Sequence, residues 1–511
     1  MTTVTTKYGI VSGAAADGLT RFLGIPYAAS PTGPLRFRAP EQPAPWDGVR
    51  ACTEFGPTPP KPDYVAPFDT LLPEPNIPGD DWLTLNVWTP DVGGAAPVMV
   101  WIHGGAFSNG NSAVRMYDGS AFARDGVVLV TINYRLGVDG FALLPDAPPN
   151  RGLLDQVAAL EWVRDNIAAF GGDPANVTIF GESAGAMSVT TLLGMPRAQG
   201  LFGKVIAQSG AAQVGADLPD AQLVTDELSG VLGFEASAAS LADLDLDKLI
   251  AAQAAVRDAL AVAPDPARWG ASIVATSMAF IPVIDGDVLP VHPLAAVAAG
   301  QGSDVTLMAG TNTEEFRLFF VPNGMAAMVT DETLPLFLGG LGIPAETAAL
   351  YQANRPDASA GDVLCALVTD KFFRNPTFAA AEARGMAAGG TRADAGGTQA
   401  AAGGLAPTYL YEFAWRSPVQ GLGAAHAVEI PFVFDNVTAE DAQKAIGTEP
   451  PADLAAEMHA AWIRFAATGD PGWPAVDASY PVMTFGRPGG SGVVLDPRSD
   501  ERASWPDASD A

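Results

Sequence analysis

A serine between two glycines is the residue of this chain whose setting most clearly indicates chemistry. The segment Gly181-Glu-Ser-Ala-Gly185 has the pattern G-x-S-x-G and follows the β-branched run Val177-Thr-Ile179 after one residue, Phe180. In a sharp turn from a strand to a helix, this pattern exposes a serine hydroxyl at the edge of a sheet, and glycines are needed because larger neighbours would collide. The spacing therefore predicts a nucleophile, Ser183. The alternative is a glycine-rich turn that binds nothing.

A serine hydroxyl is a weak nucleophile, so it needs a base, which is most often histidine. The chain has only four histidines. We interpret His103 as part of a glycine-rich loop, His292 as a turn residue before a proline, and His459 as a packing residue on the apolar face of a helix. His426 lies in a loop of small residues after a predicted strand, so it is the leading candidate for the base. An ordinary loop histidine is the alternative.

A second glycine-rich turn could supply hydrogen-bond donors. It lies in Trp101-Ile-His-Gly-Gly-Ala-Phe107, at the end of an apolar run that predicts a strand. Backbone N–H groups of such a turn, together with the N–H after the nucleophile, can stabilise a developing oxyanion, and each donor is typically worth about 10²–10³ in turnover. We assign these donors to Gly105, Ala106 and Ala184. The alternative is a tight turn without a catalytic role.

Buried strands and helices alternate around these motifs. Short, continuous apolar runs bounded by Gly, Pro or Asp predict strands covered on both faces at Leu83–Trp88, Val98–Ile102 and Val127–Ile132. Apolar residues at three- and four-residue spacing predict a helix over Leu153–Phe170, and a strand over Val177–Phe180 follows. This order is typical of an α/β protein with a large, mostly parallel central sheet flanked by helices.

The rest of the chain extends this pattern and interrupts it twice. Residues 211–279 predict Ala-rich helices inserted above the sheet, and 316–407 predict a second, irregular insertion. The low-complexity piece 385–404 predicts a flexible loop within the second insertion. The remaining predicted elements are strands at Lys7–Val11, Thr20–Tyr27, Lys204–Gln208, Val305–Ala309 and Tyr409–Trp415, and a helix at Leu454–Phe465.

Composition excludes several classes of protein. The 511 residues are 48% hydrophobic and 17% charged, with a formal net charge of −29, so a globular chain is expected, whereas nucleic acids and anionic membranes are excluded as partners. No apolar run approaches the ~20 residues of a membrane span, and no secretory signal is visible, so we expect a cytoplasmic protein. Two cysteines, Cys52 and Cys365, are too few for a disulfide framework, so we expect both to be buried thiols.

Longer segments resemble the type-B carboxylesterase and cholinesterase family of α/β-hydrolases over nearly the whole chain. The resemblance is specific because one segment matches the family's nucleophile signature in full. It implies an α/β-hydrolase fold in a single catalytic domain, 1–511, with cap-like insertions at about 211–300 and 316–407. The matching segments are 24–27, 35–37, 80–88, 133–137, 150–156, 170–185 and 465–471.

The same resemblance implies the third member of a triad. The family's G-x-N-x-x-E pattern is similar to Gly310-Thr-Asn-Thr-Glu-Glu315, which places the acid at Glu315, with the adjacent Glu314 as the alternative if the register is shifted. His426 falls on the family's histidine, in a segment similar to H-x-x-E-x-x-F-V-F. The order Ser, Glu, His along the chain is the order found in α/β-hydrolases.

Other implied features concern the scaffold and the pocket. Many relatives have a cysteine where this chain has Trp82, so a disulfide to Cys52 cannot form. The resemblance also implies structural ion pairs Arg36–Asp80 and Arg135–Asp155. Glu182, beside the nucleophile, either tunes the site electrostatically or is an ordinary carboxylate at a helix start. Candidate pocket walls, with core packing as the alternative for each, are Phe107, Met187, Phe319 and Phe320.

These features together predict a serine hydrolase that cleaves small-molecule carboxylic esters through an acyl-enzyme intermediate. No metal or organic cofactor is expected. The alternatives are an amide or carbamate hydrolase that uses the same triad, and a non-catalytic binding protein of the same family. We expect a monomer or small homo-oligomer.

Overall fold

A computed structural model describes residues 1–387 and 405–506. Within them the chain forms fifteen strands. They are Thr2–Thr5 (β1), Ile10–Ala16 (β2), Leu19–Pro26 (β3), Val49–Ala51 (β4), Thr84–Thr89 (β5), Ala96–Ile102 (β6), Val128–Ile132 (β7), Gly172–Glu182 (β8), Lys204–Gln208 (β9), Ala216–Asp217 (β10), Val283–Ile284 (β11), Thr306–Asn312 (β12), Thr408–Phe413 (β13), Pro481–Phe485 (β14) and Gly492–Leu495 (β15).

The described residues also form α-helices of four to seventeen residues. They are Phe68–Leu71 (α1), Ser120–Arg124 (α2), Gly137–Phe141 (α3), Arg151–Asn166 (α4), Ala184–Gly194 (α5), Leu218–Leu232 (α6), Ala238–Leu241 (α7), Leu246–Val262 (α8), Pro266–Trp269 (α9), Ala271–Thr276 (α10), Pro293–Ala298 (α11), Arg317–Phe320 (α12), Met325–Met328 (α13), Leu334–Gly340 (α14), Ala345–Asn354 (α15), Ala360–Thr369 (α16), Asn375–Ala387 (α17), Ile430–Val433 (α18), Glu440–Ile446 (α19), Ala452–Thr468 (α20) and Ser499–Ala503 (α21). A π-helical turn, Asp370–Arg374, joins α16 to α17.

Thirteen of the described strands form one sheet with a parallel centre. Its order is β1-β2-β3-β5-β7-β6-β8-β9-β12-β13-β14-β15, and β4 pairs with β2. The run from β7 to β14 is parallel throughout. The strand pairs of this sheet outside this run are antiparallel, except that β4 pairs with β2 in parallel. The expectation of a large, mostly parallel sheet flanked by helices is confirmed.

Strand β6 shows why the sheet is buried on both faces. Val98, Val100 and Ile102 pack into one hydrophobic cluster, and Met99 and Trp101 pack into another. Because successive side chains of a strand point to opposite faces, both faces of the sheet must be covered by helices. The continuous apolar runs of the sequence have this origin.

The predicted motifs lie together at the carboxyl ends of the parallel strands. The register pairs Ile102 with Gly181, and Glu182 with Gln208. It also pairs Gln208 with Gly310, and Asn312 with Phe413. The loops that follow β6, β8, β12 and β13 therefore emerge along one edge of the sheet, as ligand-binding loops do in open α/β sheets.

Three expectations about local structure need correction. The strand predicted at Lys7–Val11 is wrong in its first half, because Lys7 and Tyr8 lie in a bend between β1 and β2, and β2 begins only at Ile10. The helix predicted over Leu153–Phe170 is α4, which ends at Asn166 and continues as a 3₁₀ turn, Ile167–Phe170. The segment 316–407 was expected to be irregular, but its described part contains α12 to α17. Three of these helices, α12, α13 and α14, have only four to seven residues, so tertiary packing stabilises them more than local periodicity does. Of the loop predicted at 385–404, residues 388–404 lie outside the described residues.

Candidate active site

Ser183 lies in the turn that joins β8 to α5. Its backbone has φ 56° and ψ −124°, a conformation that is strained for a residue with a side chain. A Cβ added to Gly185 would lie 2.0 Å from the carbonyl oxygen of Ile102, and one added to Gly181 would lie 2.5 Å from the same atom. Both glycines are therefore needed for this turn to approach β6. Ser183 itself is half-buried.

His426 lies in the loop after β13 and contacts a buried carboxylate. Nδ1 of its ring is 2.7 Å from Oε2 of Glu315, which follows β12 and is fully buried. The backbone N–H of His426 also donates to the carbonyl of Glu315 at 3.2 Å. Oε1 of Glu315 accepts the N–H of Asn312 at 2.7 Å. One carboxylate oxygen is thus fixed by the backbone while the other orients the imidazole.

The opposite edge of the imidazole faces the residue before the serine. Nε2 of His426 lies 3.0 Å from Oε1 of Glu182, but the two groups are not aligned for a hydrogen bond. Among the described residues, the hydroxyl of Ser183 makes no hydrogen bond to His426 or to any other group. The structure therefore brings His426 and Glu315 together and places the ring at the Glu182–Ser183 turn.

The other three histidines have partners of their own. His103 is buried and stacks on Tyr134 with 4.5 Å between ring centroids, and burial lowers its pKa to about 4. Nδ1 of His292 accepts an N–H at the start of α11. Nδ1 of His459 lies 2.7 Å from the carbonyl oxygen of Val433. These placements agree with a loop, a turn and a packing role, respectively.

The structure separates the two adjacent glutamates. Glu315 contacts His426, whereas Oε2 of Glu314 accepts the N–H of Ala424 at 3.0 Å. Oε1 of Glu314 lies 3.0 Å from Nη1 of Arg416. Of the two, Glu315 is the carboxylate that can orient the imidazole.

The glycine-rich loop after β6 lies against the serine. A Cβ added to Gly104 would lie 3.0 Å from Cβ of Ser183, and the next two residues have φ 109° (Gly105) and 52° (Ala106). The N–H groups of Gly105 and Ala106 donate to no other described residue. Ala184 is the first residue of α5, where a helix leaves its N–H groups unpaired. Free backbone donors on two elements therefore meet near Ser183.

Burial and like charges shift the pKa values of the groups around the imidazole. Burial alone lowers the pKa of His426, but the carboxylates of Glu182 and Glu315 outweigh it, so the pKa lies well above its usual value. Burial raises the pKa of Glu182, although His426 opposes the shift. Burial, with the charges of Glu182 and Glu315, raises the pKa of Glu429 to about 8. Perturbed groups that converge at one place are typical of a functional site.

Sequence reasoning missed Glu429 as part of this cluster. The Glu429 carboxylate accepts hydrogen bonds from Nδ2 of Asn312 at 2.6 Å and from Nε2 of Gln208 at 3.2 Å. Its signal was present, because Glu429 is three residues after His426, in the H-x-x-E segment. Spacing alone could not show that its carboxylate faces back toward the ends of β9 and β12.

Two phenylalanine rings flank the imidazole. The centroid of Phe319, a predicted wall residue, lies 5.4 Å from that of His426, and the centroid of Phe373 lies at 4.8 Å. Phe373 was not predicted, because it lies on the π-helical turn Asp370–Arg374, within the segment expected to be irregular. These rings give the imidazole an apolar surround.

The other three predicted wall residues pack elsewhere. Phe107 is fully buried and makes an edge contact with Phe141 at 4.9 Å. Phe320 contacts Phe316 at 5.1 Å. Met187 is buried on α5 within the main hydrophobic cluster. Phe107 and Met187 are buried as core residues are, whereas Phe320 is only partly buried. A role in the pocket stays a prediction for all three.

One of the two implied scaffold ion pairs is wrong. Arg36 pairs with Asp139, whose Oδ1 lies 3.2 Å from its Nε, and not with Asp80. Its guanidinium also donates to carbonyls of a loop near residue 242, which holds it away from Asp80. The second pair is confirmed, since Nη2 of Arg135 lies 2.7 Å from Oδ1 of Asp155, with both side chains buried.

Both cysteines are free and buried, as predicted. Burial raises the pKa of the Cys52 thiol to about 11 and that of Cys365 to about 12. In residues 1–387 and 405–506, no group of three or more His, Cys, Asp or Glu side chains is arranged to hold a metal ion. Over the same residues, no helix is both long enough and apolar enough to cross a membrane.

Known proteins match this chain over most of its length. The carboxylesterase family matches residues 1–489. The para-nitrobenzyl esterase of Bacillus subtilis (strain 168) is 37% identical over 93% of this chain and 91% of its own length. The phenmedipham hydrolase of Pseudarthrobacter oxydans is 32% identical over 96% of each. Carboxylesterase EST55 of Geobacillus stearothermophilus, a solved structure, superposes with a TM-score of 0.82 at 36% identity, covering 99% of this chain and 100% of that one.

The chain therefore belongs to the carboxylesterase family. It has the α/β-hydrolase fold and is a carboxylic-ester hydrolase.

Proposed function

We propose that the chain cleaves esters through a catalytic triad of Ser183, His426 and Glu315. The oxygen of Ser183 attacks the ester carbonyl while Nε2 of His426 takes its proton. Glu315 keeps the imidazole in the correct tautomer and stabilises its cation. His426 then returns the proton to the departing alkoxide, and water, activated by the same histidine, releases the acyl group and restores the serine.

The observation that carries this proposal is the pairing of His426 and Glu315 beside a strained serine. Nδ1 of the imidazole is held at 2.7 Å by a fully buried carboxylate, which leaves Nε2 for proton transfer. That nitrogen lies 3.0 Å from Oε1 of Glu182, the residue before Ser183 in sequence. Catalytic hydrogen bonds are often long in a free enzyme and shorten when substrate binds.

The oxyanion is proposed to bind the N–H groups of Gly105, Ala106 and Ala184. Each is an unpaired backbone donor, and the loop that carries the first two contacts Ser183 through Gly104. Ala106 has a backbone N–H, as every residue except proline does. Such donors are fixed before the reaction, so they stabilise developing charge without a cost of reorganisation.

We also propose that 1–511 is a single catalytic domain whose segments at about 211–300 and 316–407 cover the site. Phe319 supports this, because it belongs to the second segment and contacts the imidazole. The substrate is a small ester with an apolar part near Phe319 and Phe373. A cytoplasmic location and a monomer or small homo-oligomer remain predictions.

The proposal is tested by replacing Ser183 with alanine. Turnover of a simple aryl ester should fall by about 10⁴-fold or more, because triad members act as a unit. Ser209→Ala, at another serine with positive φ at the end of a neighbouring strand, is the matched control and should retain activity. If Ser183→Ala keeps more than about a tenth of the wild-type turnover, the assignment is wrong.

The substrate class is tested with matched ester, amide and carbamate substrates that share one acyl group. We expect the ester to react fastest, because an amine must be protonated as it leaves while an alkoxide depends less on the acid. A higher kcat/KM for the amide or carbamate would favour the alternative hydrolase.

A further inference from the structure

We propose that Glu314 is a positioning residue for His426, acting through the loop that carries the histidine. This inference rests on the proposed triad. We call residues 421–426 the His loop. Glu314 does not touch His426 itself; its carboxylate holds the backbone two residues earlier, at Ala424.

The turn after β12 contacts the His loop at successive positions. Glu314 accepts the N–H of Ala424 at 3.0 Å and donates its own N–H to the carbonyl of Ala424 at 2.9 Å. Nδ2 of Asn312 donates to the carbonyl of Ala425 at 2.7 Å. The N–H of His426 then donates to Glu315. The same short turn therefore supplies the triad acid and fixes the backbone that carries the base.

The loop is shaped to receive the Glu314 side chain. Gly423 has φ 66°, and a Cβ added there would lie 2.4 Å from Oε2 of Glu314. Only glycine allows both this backbone conformation and this close approach. The carboxylate lies directly on the His loop, which a solvated surface glutamate would not require.

Arg317 makes a further contact with Glu314. Nε of Arg317 lies 3.8 Å from Oε1 of Glu314. The guanidinium also donates to the carbonyl of Gly421 at 2.7 Å and pairs with Asp362 on α16. The side chains of Glu314 and Arg317 are only 21% and 14% exposed, so these contacts are partly shielded from water. Arg416, by contrast, is 65% exposed, and such pairs contribute little.

Removing the carboxylate of Glu314 should make the position of the His426 imidazole less well defined without affecting substrate binding. In Glu314→Ala, the N–H of Ala424 loses the carboxylate that accepts its hydrogen bond. We expect kcat to fall about tenfold, because small misplacements of catalytic groups cost large factors in rate. KM should stay within about twofold of the wild type. In Glu314→Gln the amide oxygen can still accept the N–H of Ala424, so kcat should stay within about threefold of the wild type. Arg416→Ala removes only the exposed ion pair and is the matched control, with unchanged kcat.

Glu314→Asp keeps the charge but is one methylene too short to reach Ala424, so it should resemble Glu314→Ala. If Glu314→Ala fails to fold, Glu314→Asp is used in its place. All rates are normalised to the concentration of serines titrated by a phosphonate, because a merely structural role would lower the amount of folded enzyme and not kcat per site. The inference is overturned if Glu314→Ala or Glu314→Asp has wild-type kcat per titrated site.

A spectroscopic measurement separates this inference from the proposed function. The Nδ1 proton that His426 shares with Glu315 should give a downfield proton resonance, and the chain has only four histidines. We expect this resonance to broaden in Glu314→Ala and to persist in Arg416→Ala. An unchanged resonance in Glu314→Ala would overturn the positioning role even if the wild type has no esterase activity. Absence of wild-type activity would instead overturn the proposed function.

Discussion

At the scale of single residues, one imidazole is surrounded by buried carboxylates. Glu315 contacts Nδ1 of His426, Glu182 lies near Nε2, and Glu429 lies behind them with its pKa raised to about 8. Because like charges at close range disfavour ionisation, the charges of Glu182 and Glu315 add to the effect of burial in raising the pKa of Glu429. The carboxylates favour the imidazolium, which stabilises the cation that forms during proton transfer but opposes the neutral base that starts it.

This arrangement predicts how Glu182 affects the pH dependence of catalysis. Its charge helps to raise the pKa of His426, and only the neutral imidazole can accept the serine proton. Activity should therefore fall as the pH drops through that raised pKa. In Glu182→Gln the pKa of His426 should be lower, so the acid limb of kcat/KM should move to lower pH. Glu332→Gln, at an exposed position, is the control; a limb that stays in place or moves upward in Glu182→Gln would contradict the prediction.

Part of the site is predictable from the residues themselves. Ser183 and His426 follow from local pattern and from the small number of histidines, because a nucleophilic turn has a strict steric signature. Glu315 required the family resemblance, since two adjacent glutamates look alike until one is seen to face the ring. Glu429 and the contact from Glu314 to Ala424 depend on how two distant loops meet, which no local spacing reveals.

At the scale of elements, the close approach of β6, β8 and α5 makes the serine turn possible. The first residues of α5 pass so near the end of β6 that Gly185 has no space for a side chain. Backbone atoms, and not flexible side chains, form the obstacle. The turn therefore has little freedom to adapt to substitution.

Gly185→Ala should destabilise the fold. The added methyl would lie 2.0 Å from the carbonyl oxygen of Ile102, so we expect a loss of about 3 kcal/mol or more in the free energy of unfolding. Gly230→Ala is the matched control, because Gly230 is an exposed residue of α6 with nothing near its added Cβ. That change should be neutral or stabilising by about 0.5–1 kcal/mol. Urea unfolding measures both, and equal midpoints for the two variants would contradict the steric argument.

The elements that the sequence predicts well are the ones buried on both faces. The strand predicted at Val98–Ile102 is β6, Ala96–Ile102, and the one at Val127–Ile132 is β7, Val128–Ile132. Their apolar runs are continuous because helices cover both sides of the sheet. Within 316–387, the helices α12, α13 and α14 were missed because they have only four to seven residues and little periodicity of their own. Segments of this kind acquire structure from neighbours that are distant in sequence.

At the scale of the whole molecule, acidic residues outnumber basic ones by 57 to 28. A net charge this large keeps a protein soluble but destabilises the compact state through self-repulsion. Salt weakens that repulsion, because the screening length falls from about 30 Å at 0.01 M to about 3 Å at 1 M.

Stability should therefore rise with salt near neutral pH. We expect the apparent unfolding temperature at pH 7 to increase by about 2–5 °C between 0.01 and 1 M NaCl. The same series near pH 4.3, where the net charge approaches zero, is the control and should show a smaller increase. A decrease at pH 7, or an equal response at both pH values, would contradict the role assigned to charge.

The central claim is that Ser183 is a nucleophile activated by His426. It is tested most directly by treating the intact protein with a fluorophosphonate and locating the adduct by mass spectrometry. We expect one adduct, on Ser183, which is absent in Ser183→Ala, forms far more slowly in His426→Ala and is unaffected in Ser209→Ala. An adduct on another residue, or wild-type labelling of Ser183 in His426→Ala, would contradict the account.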